Sequence, residues 1–319
     1  MRLGLLSTAN INKAILGGAK EADAVEVVAV ASRDGAKAQA YASEHGLERG
    51  HGSYEALLED PDVDAVYISL PNGMHHEWTL RAVGAGKHVL VEKPYSRRAE
   101  EVEEAWDAAE RAGLVVMEAF MYRHHPQAAL ARSLVEQGRI GRLRHIRTTF
   151  SFQLLDLANV RMLPDLDGGA LMDVGCYCVS GARLLGGEPE RVYGEQVLGP
   201  TGVDVDFYGT LRFPNDVVAQ FDASFSLPER QRLEAVGDEG TLVVEAPWRA
   251  DWGGLVLVNG EAVPVDAVNP YGLELANFAA AIAGDAEPLL GRDDALAQAR
   301  IIEALYRSAE SGEAVSLGA

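Results

Sequence analysis

The chain has 319 residues, of which 48% are hydrophobic, an ordinary globular composition that supports one large or two medium-sized cores. It contains no run of about 18 apolar residues, which excludes a membrane span. Its net charge of −20 repels phosphate backbones, so we expect no nucleic-acid partner.

The N-terminus and the cysteines bear on location and on metals. The apolar run that begins at Met1 ends before Ser7, which is too early for a signal peptide and favours a strand. Cys176 and Cys178 stand two residues apart in a predicted helix, so they point to different faces and fit neither a disulfide framework nor a zinc site. We therefore expect a cytoplasmic protein without a metal site.

Short apolar runs alternate with helical patterns over the first 120 or so residues, which is typical of βαβ units on a parallel sheet. The predicted strands are Leu3–Leu6, Val25–Ala31, Ala65–Leu70, His88–Val91 and Leu114–Met117. The predicted helices are Ile11–Lys20, Gly35–Glu44, Tyr54–Glu59, His75–Ala85 and Ala99–Ala112. Because strands buried on both faces are continuously apolar, residues 1–122 are predicted to form a doubly wound α/β domain.

The pattern changes after Tyr122. A helix at Gln127–Gln137 precedes an alternating strand at Arg144–Leu154, and another helix is predicted at Leu171–Leu185. Six strands follow without long helices between them, at Arg191–Leu198, Phe207–Phe213, Val217–Phe225, Arg232–Val236, Thr241–Glu245 and Leu255–Val258. Residues 123–319 are thus predicted to form an α+β domain with a large, mostly antiparallel sheet.

Two late helices, Leu273–Ala283 and Ala295–Ser311, close the chain and are candidates to pack back on the first domain. A sheet covered by helices on one side leaves its other face for a partner subunit. We therefore expect a homo-oligomer, either a homodimer or a homotetramer.

The turn after the first strand is where the pyrophosphate of a dinucleotide would meet backbone N–H groups and a helix N-terminus. In place of a G-x-G-x-x-G fingerprint the chain has Ser7-Thr8-Ala9-Asn10-Ile11-Asn12. Small residues allow a close approach, and Ser7, Thr8 and Asn10 can cap the helix or bind phosphate. A turn with a purely structural role would have a similar composition, so both interpretations stand.

The end of the second strand bears on the choice of cofactor, because an acidic residue there binds the ribose 2′-hydroxyl of NAD, whereas an arginine accommodates the 2′-phosphate of NADP. This chain has Ser32-Arg33-Asp34, in which Arg33 and Ser32 suit a phosphate monoester. Asp34 can serve NAD or cap the next helix. The sequence favours NADP and leaves NAD open.

Polar groups follow three neighbouring strands at one edge of the predicted sheet. Glu92-Lys93-Pro94 ends one strand, where ligands of open α/β sheets bind. A lone lysine before a proline would be a surface residue at a turn. Here, however, Leu70-Pro71-Asn72 with His75 ends the preceding strand, and Glu118–Arg123 ends the next.

Three segments, Glu92-Lys93-Pro94, Pro71-Asn72-x-x-His75 and the ten residues from Gly168 to Tyr177, resemble the Gfo/Idh/MocA family of oxidoreductases in their order and spacing. The resemblance covers essentially the whole chain. Tyr177 and the Asn159-x-Arg161 segment resemble the corresponding residues of one branch of that family. This branch contains glucose–fructose oxidoreductase, NADP-dependent xylose dehydrogenase and dimeric dihydrodiol dehydrogenase. The weak glycine fingerprint departs from the wider family.

The resemblance implies a Rossmann first domain, a substrate-binding second domain, and roles for particular residues. The catalytic residues would be Lys93, Tyr177 and Asp173. The cofactor-binding residues would be Ser7, Thr8, Ala9, Asn10, Ile11, Ser32, Arg33, Leu70, Pro71, Asn72, His75, Glu92 and Lys93. The substrate-binding residues would be Arg123, Asn159, Asp173 and Tyr177.

The chemistry of these side chains agrees with the implied roles. A tyrosine with a pKa near 10 is a poor base at neutral pH unless a cation stabilises the phenolate, and Lys93 would supply that cation. Tyr177 would then act as general acid/base. Asp173, four residues earlier on the same helical face, would orient the substrate or the lysine. The alternatives are a packing tyrosine and a charge at a helix N-terminus.

We therefore expect reversible hydride transfer between NADP and a hydroxyl or carbonyl carbon of a sugar or related polyol. A keto-sugar reductase and a cyclic dihydrodiol dehydrogenase are alternatives on the same fold. A catalytically silent NADP-binding regulator is a further alternative, against which the presence of both Lys93 and Tyr177 argues.

Overall fold

The structure is a computed structural model that describes residues 1–249 and 254–318. The chain divides into two compact units. The first comprises Met1–Ser96, Glu100–Met121 and Asn269–Leu296, and the second comprises Arg97–Ala99, Tyr122–Val268 and Ala297–Ala319. Both units are discontinuous in sequence. The predicted division after residue 122 is a single one, because residues 97–99 carry no change of composition that marks where they belong. The helix predicted at Leu273–Ala283, a candidate to pack back on the first domain, lies in the first unit.

A six-stranded parallel sheet forms the centre of the first unit, with the strand order β3-β2-β1-β4-β5-β6. Its strands are β1 (Arg2–Leu6), β2 (Glu26–Ala31), β3 (Arg49–His51), β4 (Ala65–Ile68), β5 (His88–Glu92) and β6 (Val116–Ala119). Their apolar runs are buried on both faces, and Val28–Ala31 and Ala65–Ile68 are 0% exposed. The predicted doubly wound parallel sheet is confirmed.

The α-helices are, in chain order, α1 (Asn12–Ala19), α2 (Gly35–His45), α3 (Tyr54–Leu58), α4 (His75–Gly84), α5 (Ala99–Ala112), α6 (Pro126–Glu136), α7 (Cys176–Gly186), α8 (Pro270–Ala283) and α9 (Arg292–Ser311). Helix α8 packs against α1 in the first unit. The two helices approach so closely that a Cβ at Gly18 would lie 2.7 Å from the backbone at Tyr271. A glycine at this position of α1 is therefore what allows α8 to join the unit.

Strand β3 is absent from the predicted elements. It has three residues and no apolar run, so neither periodicity nor β-propensity marks it. It pairs in parallel with β2 at the sheet edge. A Cβ at Gly50 would lie 2.7 Å from the backbone of Ala38, so a glycine permits α2 to pack on this strand.

A nine-stranded sheet forms the centre of the second unit, with the order β14-β13-β12-β11-β7-β10-β9-β8-β15. Its strands are β7 (Leu143–Ser151), β8 (Arg191–Leu198), β9 (Asp204–Arg212), β10 (Val218–Ser224), β11 (Arg230–Gly237), β12 (Thr241–Glu245), β13 (Leu255–Val258), β14 (Glu261–Val263) and β15 (Val315–Ser316). Among the described strand pairs of this nine-stranded sheet, only β7–β10 is parallel. The predicted large, mostly antiparallel sheet is confirmed, with two short strands, β14 and β15, added to it.

Helix α7 packs on one face of this sheet, against β7, β10 and β11. The side chains of β11 alternate accordingly, with Leu233 and Ala235 buried on that face. Cys176 and Cys178 are free thiols and both are buried. None of the helices within residues 1–249 and 254–318 is both long and apolar enough to cross a membrane. In that same part of the chain, His, Cys, Asp and Glu side chains form no group of three or more arranged to hold a metal ion.

Candidate active site

The parallel strands of the first unit end level with one another at one edge of the sheet. The register pairs Leu6 with Ala31 and with Ile68, Ile68 with Val91, and Glu92 with Ala119. The strand order reverses between β1 and β4, and ligands of open α/β sheets bind beside the carboxyl ends of the strands at such a point. The segments that begin at Ser7, Ser32, Ser69 and Lys93 all start at this edge.

The turn after β1 holds Ser7 in a conformation that glycine normally supplies. Its φ of +137° costs about 1–3 kcal/mol in a residue with a side chain. The hydroxyl accepts a hydrogen bond from the Ala9 N–H at 3.1 Å and bonds to the Ser69 hydroxyl at 2.8 Å. The buried Asn12 donates to the Ser7 carbonyl oxygen at 2.7 Å. Ser7 therefore shapes the turn, and residues 8–11 lead from it into α1 through the short-range backbone hydrogen bonds from Asn12 to Ala9 and from Lys13 to Asn10.

The segment after β2 assigns separate tasks to Arg33 and Asp34. The Asp34 carboxylate is the N-cap of α2, where it accepts hydrogen bonds from Ala36 N–H at 2.9 Å and Lys37 N–H at 3.1 Å. Asp34 N–H donates to the Ser32 hydroxyl at 3.2 Å. Arg33 is exposed beside this helix start. Asp34 thus caps α2, and the Arg33 guanidinium is the exposed group of this segment that can meet an anion.

His75, at the start of α4, is fully buried and links two of the predicted cofactor segments. Its Nε2 lies 2.8 Å from the Leu70 carbonyl oxygen and its Nδ1 lies 3.0 Å from that of Pro94. Burial lowers the pKa of His75, although the two carbonyl contacts oppose that effect. A neutral ring carries one N–H, so it donates to one of the two carbonyls. His75 therefore positions the Leu70–Asn72 segment and the residue after Lys93 relative to each other.

Lys93 follows Glu92, whose carboxylate is held by a hydrogen bond from a buried tyrosine of β4. The Tyr67 hydroxyl donates to Glu92 Oε1, and the Lys93 N–H lies 3.3 Å from Glu92 Oε2. Glu274 on α8 is 1% exposed, and its burial, together with the charge of Glu92, raises the pKa of Glu274 well above its usual range. The peptide bond from Lys93 to Pro94 is cis. The backbone at Lys93 is thus anchored at the edge of the first unit's sheet, with its side chain partly exposed.

Close contacts exclude a side chain at both Gly168 and Gly169 in the second unit. A Cβ at Gly168 would lie 2.4 Å from the Arg161 carbonyl oxygen. Gly169 has a φ of +128°, and a Cβ there would lie 2.1 Å from Oδ1 of Asp204. After this pair, Leu171–Gly175 form a π-helical turn that continues into α7. Such turns occur often at functional sites, and this one carries Asp173.

Tyr177 lies in the first turn of α7, with its ring packed among three others. The ring centroids of Phe150, Tyr122 and Trp248 lie 5.5, 5.8 and 5.9 Å from that of Tyr177, which is 7% exposed. The Tyr122 hydroxyl donates to the Ser180 hydroxyl at 2.7 Å. Tilted and edge contacts of this kind fix the orientation of a ring.

Asp173 is paired with an arginine of its own unit. Arg161 Nε lies 2.7 Å from Asp173 Oδ2, and the Asp173 side chain is 13% exposed. Asn159 is the N-cap of the short 3-10 helix Val160–Met162, since its Oδ1 accepts a hydrogen bond from the Arg161 N–H at 3.1 Å. Arg123 Nη1 lies 3.4 Å from the Ser180 hydroxyl.

The second unit therefore brings four of the predicted residues onto one helix and its immediate supports. Asp173 and Tyr177 lie on the helical segment itself, Asn159 shapes the turn that bears Arg161, and Arg123 reaches Ser180 one turn after Tyr177. Arg161, Phe150 and Trp248 have no predicted role in the site. The signal that could have found Arg161 is its position in the Asn159-x-Arg161 segment, shortly before the Gly-Gly pair. Trp248 has no comparable local signal.

Two domain families match the chain, and together they cover most of its length. Residues 3–120 match the oxidoreductase family with an NAD-binding Rossmann fold, and residues 128–243 match the GFO/IDH/MocA C-terminal domain. D-xylose 1-dehydrogenase (NADP(+)) 2 of Haloferax volcanii is 40% identical over 99% of this chain and 100% of its own length. A dTDP-3,4-didehydro-2,6-dideoxy-alpha-D-glucose 3-reductase of Saccharopolyspora spinosa is 33% identical over 99% of this chain and 96% of its own.

Solved structures agree with the sequence matches. A 3-ketoreductase from Actinomadura kijaniata in complex with NADP and TDP-benzene superposes with a TM-score of 0.91 at 30% identity, over 97% of both chains. Aldose-aldose oxidoreductase from Caulobacter crescentus, complexed with glycerol, gives a TM-score of 0.91 at 27% identity, over 99% of both chains. The chain therefore belongs to the GFO/IDH/MocA family of oxidoreductases, with the NAD-binding Rossmann domain and the C-terminal domain of that family.

Proposed function

We propose that the protein is an NADP-dependent dehydrogenase of a sugar or related polyol. The proposal is carried by the placement of Asp173 and Tyr177 on one helical segment. Asp173 is ion-paired with Arg161, and the Tyr177 ring packs against three aromatic neighbours. The ion pair holds a carboxylate four residues before the tyrosine in one continuous helical segment, so an acid and a phenol stand close together in the second unit. The proposal takes its cofactor chemistry from the family of the chain.

NADP fits the edge of the first unit better than NAD does. The Asp34 carboxylate accepts two backbone N–H groups of α2 through Oδ1, so capping of the helix accounts for this acid without a ribose 2′-hydroxyl. Arg33 and Ser32 offer the charge and the hydroxyl that a 2′-phosphate requires. The residues that would bind the rest of the cofactor are Ser7–Ile11, Leu70–Asn72, Glu92 and Lys93. When bound, the nicotinamide accepts or donates the hydride.

The proton chemistry is assigned to Tyr177 and Lys93. Tyr177 would take the proton from the substrate hydroxyl during oxidation and return it during reduction, and a placed group of this kind contributes about 10²–10⁴-fold to the rate. Lys93 would hold the phenolate form by its positive charge and donate to the reacting oxygen. Asp173 would accept from a neighbouring substrate hydroxyl, in an orientation set by Arg161. Arg123 and Asn159 are proposed to contact further hydroxyls.

A polyhydroxylated substrate suits these groups, because carboxylate, amide and guanidinium groups all bind hydroxyls. The xylose dehydrogenase of Haloferax volcanii and the aldose-aldose oxidoreductase of Caulobacter crescentus support a free sugar. A second candidate is reduction of a keto-sugar, which the reductase of Saccharopolyspora spinosa and the 3-ketoreductase of Actinomadura kijaniata favour. Cyclic dihydrodiols are a further candidate, from the trans-1,2-dihydrobenzene-1,2-diol dehydrogenase of Danio rerio, 33% identical over 77% of this chain.

A screen of aldoses, inositols and diols with NADP and with NAD, followed by absorbance of the reduced cofactor, tests the proposal. We expect turnover with at least one aldose and NADP. Reduction of keto-sugars with no oxidation of any aldose would favour the second candidate. Tight NADP binding without turnover on any of these compounds would instead indicate a catalytically silent regulator.

We also propose that two copies of the chain join through the open face of the nine-stranded sheet. Tyr193 and Tyr208 are 38% and 43% exposed, and Arg147, Arg230, Glu195 and Glu234 line the same groove. Charges of both signs beside aromatic rings allow a surface to pair with its own copy about a twofold axis. We expect light scattering to give a multiple of 34.2 kDa, and Tyr208→Glu to reduce it to the monomer mass.

We propose a cytoplasmic location, because a reducing compartment keeps thiols such as Cys176 and Cys178 free. Fractionation of the native cell, with the protein followed by antibody, tests this assignment. Recovery outside the cytoplasm would contradict it.

A further inference from the structure

Asp204, the first residue of β9, is a buried carboxyl group to which the proposed reaction gives no task. Its side chain reaches the start of the helical segment that carries Asp173 and Tyr177. Oδ2 accepts a hydrogen bond from the Leu171 N–H at 2.7 Å, and Oδ1 accepts one from the Tyr306 hydroxyl at 3.0 Å. Asp204 is 2% exposed. It therefore acts as an N-cap supplied from a distant strand.

The local sequence offers no substitute for this cap. The residue in the N-cap position is Ala170, which has no polar side chain to accept a backbone N–H. The approach of Asp204 also explains Gly169, since a Cβ at that glycine would lie 2.1 Å from Asp204 Oδ1. The Gly-Gly turn and the remote carboxylate are thus two parts of one arrangement.

The charged and titratable groups that face Asp204 come from three segments. Tyr306 lies on α9, and the guanidinium carbon of Arg97 lies 4.0 Å from the centre of its ring. Arg98 makes two hydrogen bonds, of 2.9 and 3.0 Å, to Asp167, the residue before Gly168. Burial raises the pKa of Asp204 to about 7, while the Leu171 N–H, the Tyr306 hydroxyl and Arg97 oppose that rise.

We infer that Asp204 is a positioning residue, which in its ionised form fixes the turn bearing Asp173 and Tyr177 for catalysis. The inference rests on the proposed function. An ionised carboxylate accepts from both Leu171 and Tyr306. A protonated one keeps a carbonyl oxygen for the Leu171 N–H, but that bond loses its charge assistance, and the negative charge that favours a helix N-terminus is gone. The Tyr306 hydroxyl must also turn to accept from the acid instead of donating to it. The turn is then held less tightly. Turnover is expected to fall as Asp204 becomes protonated.

The test is the pH profile of kcat and KM for the wild type, Asp204→Asn, Tyr306→Phe and the control Asp206→Asn. Asparagine resembles the protonated acid, so we expect Asp204→Asn to lose the acid limb near the pKa of Asp204, with kcat lowered about tenfold or more at pH 8. Tyr306→Phe keeps the ring under Arg97 but removes a donor to the carboxylate, so its acid limb should move to higher pH. Asp206, on the same strand, accepts from Ser224 and Ser226, and its variant should keep the wild-type profile.

Thermal unfolding separates positioning from a merely structural role. A carboxyl group whose pKa is raised on folding binds its proton more tightly in the folded state, so its ionisation costs stability as pH rises from the usual carboxyl range to about 7. Asp204→Asn removes that cost and should unfold at the wild-type Tm or above it at pH 8, while turning over more slowly. A parallel loss of kcat and Tm would overturn the inference, as would an unchanged acid limb in Asp204→Asn.

Hydrogen–deuterium exchange of the Leu171–Tyr177 backbone gives an answer that needs no substrate. At equal pH, we expect faster exchange there in Asp204→Asn than in the wild type or Asp206→Asn. If no compound is turned over, the proposed function fails, and the exchange rates still decide the role of Asp204. Unchanged exchange in Asp204→Asn would overturn the inference even in an active enzyme.

Discussion

Arg161 Nε lies 2.7 Å from Oδ2 of Asp173, and this contact ties the turn before the Gly-Gly pair to the helix after it. The same turn is reinforced by the Gly169 N–H, which donates to the Arg161 carbonyl oxygen at 2.9 Å. Arg161 thus supports Asp173 with its side chain and the glycine turn with its backbone. Its loss should therefore affect the reaction without any change in Tyr177 itself.

Arg161→Met is expected to lower kcat/KM about tenfold. A hydrogen bond to a charged group contributes about 1.5–3 kcal/mol, and the 43% exposure of the Arg161 side chain reduces that figure through solvent screening. Steady-state kinetics measure the effect. Arg132→Met, which removes an exposed ion pair with Glu136 on α6, is the control and should leave the rates unchanged. Equal rates in both variants would contradict a role for Arg161.

Arg33→Gln is expected to weaken NADP binding about 10–100-fold and to leave NAD binding nearly unchanged, because one charge-assisted contact to the 2′-phosphate is lost. Titration of both cofactors by protein fluorescence measures the two affinities. Asp34→Asn is the matched variant, since asparagine caps a helix about as well as aspartate and should keep the preference for NADP. A preference that follows Asp34 rather than Arg33 would assign the choice of cofactor to the aspartate.

Tyr177→Phe is expected to lower kcat about 10²-fold or more, because it removes the proposed proton acceptor. The phenylalanine ring keeps the contacts with Tyr122, Phe150 and Trp248, so the Tm and the NADP affinity should change little. A tyrosine that only packs would lose one hydrogen bond of about 1 kcal/mol and keep its rate. More than about half of the wild-type rate in Tyr177→Phe would rule out the acid/base role.

Lys93→Ala is expected to lower turnover and to move the active pH range upward. In the proposed mechanism the lysine charge favours the phenolate, so without it a higher pH is needed to form the proton acceptor. The pH dependence of kcat in this variant, compared with the wild type, measures the shift. A lowered rate with an unmoved pH range would mean that Lys93 acts only in binding.

Glu274→Gln is expected to stabilise the protein at pH 8 and to have little effect at pH 4. Burial and the charge of Glu92 raise the pKa of Glu274, so the folded state binds the proton more tightly and loses stability as pH rises above the usual carboxyl range. Each 1 kcal/mol recovered should raise Tm by roughly 2–4 °C. Thermal unfolding at both pH values measures the difference. The exposed Glu287→Gln is the control, and a lower Tm at pH 8 in Glu274→Gln alone would contradict the prediction.

The repeating elements could be predicted because their signals are local. Apolar runs and helical periodicity mark β1, β2, β4, β5 and the helices between them, and the strand ends then predict which segments share an edge. The three-residue strand β3 and the two-residue strand β15 carry no such signal. Their pairing depends on the neighbouring strand rather than on their own sequence.

The motif residues of the proposed site carry local sequence signals, whereas the residues that support them do not. Lys93, Asp173 and Tyr177 stand in recognisable tripeptides and turns, and these motifs also point to the family. Asp204 and Trp248 act through contacts across more than 30 residues of chain, which only the folded structure brings about. The motif that contains His75 is evident in the sequence. Its burial between the carbonyl groups of Leu70 and Pro94 is evident only in the structure.

The return of α8 to the first unit has a consequence for the order of events during synthesis. The helix that covers α1 at Gly18 starts at Pro270, whereas the last strand of the sheet ends at Ala119. At about 5–20 residues per second, a ribosome takes roughly 7–30 s to make the chain between them. For that interval the nascent sheet lacks α8, and the surface of α1 that α8 covers at Gly18 stays exposed to solvent.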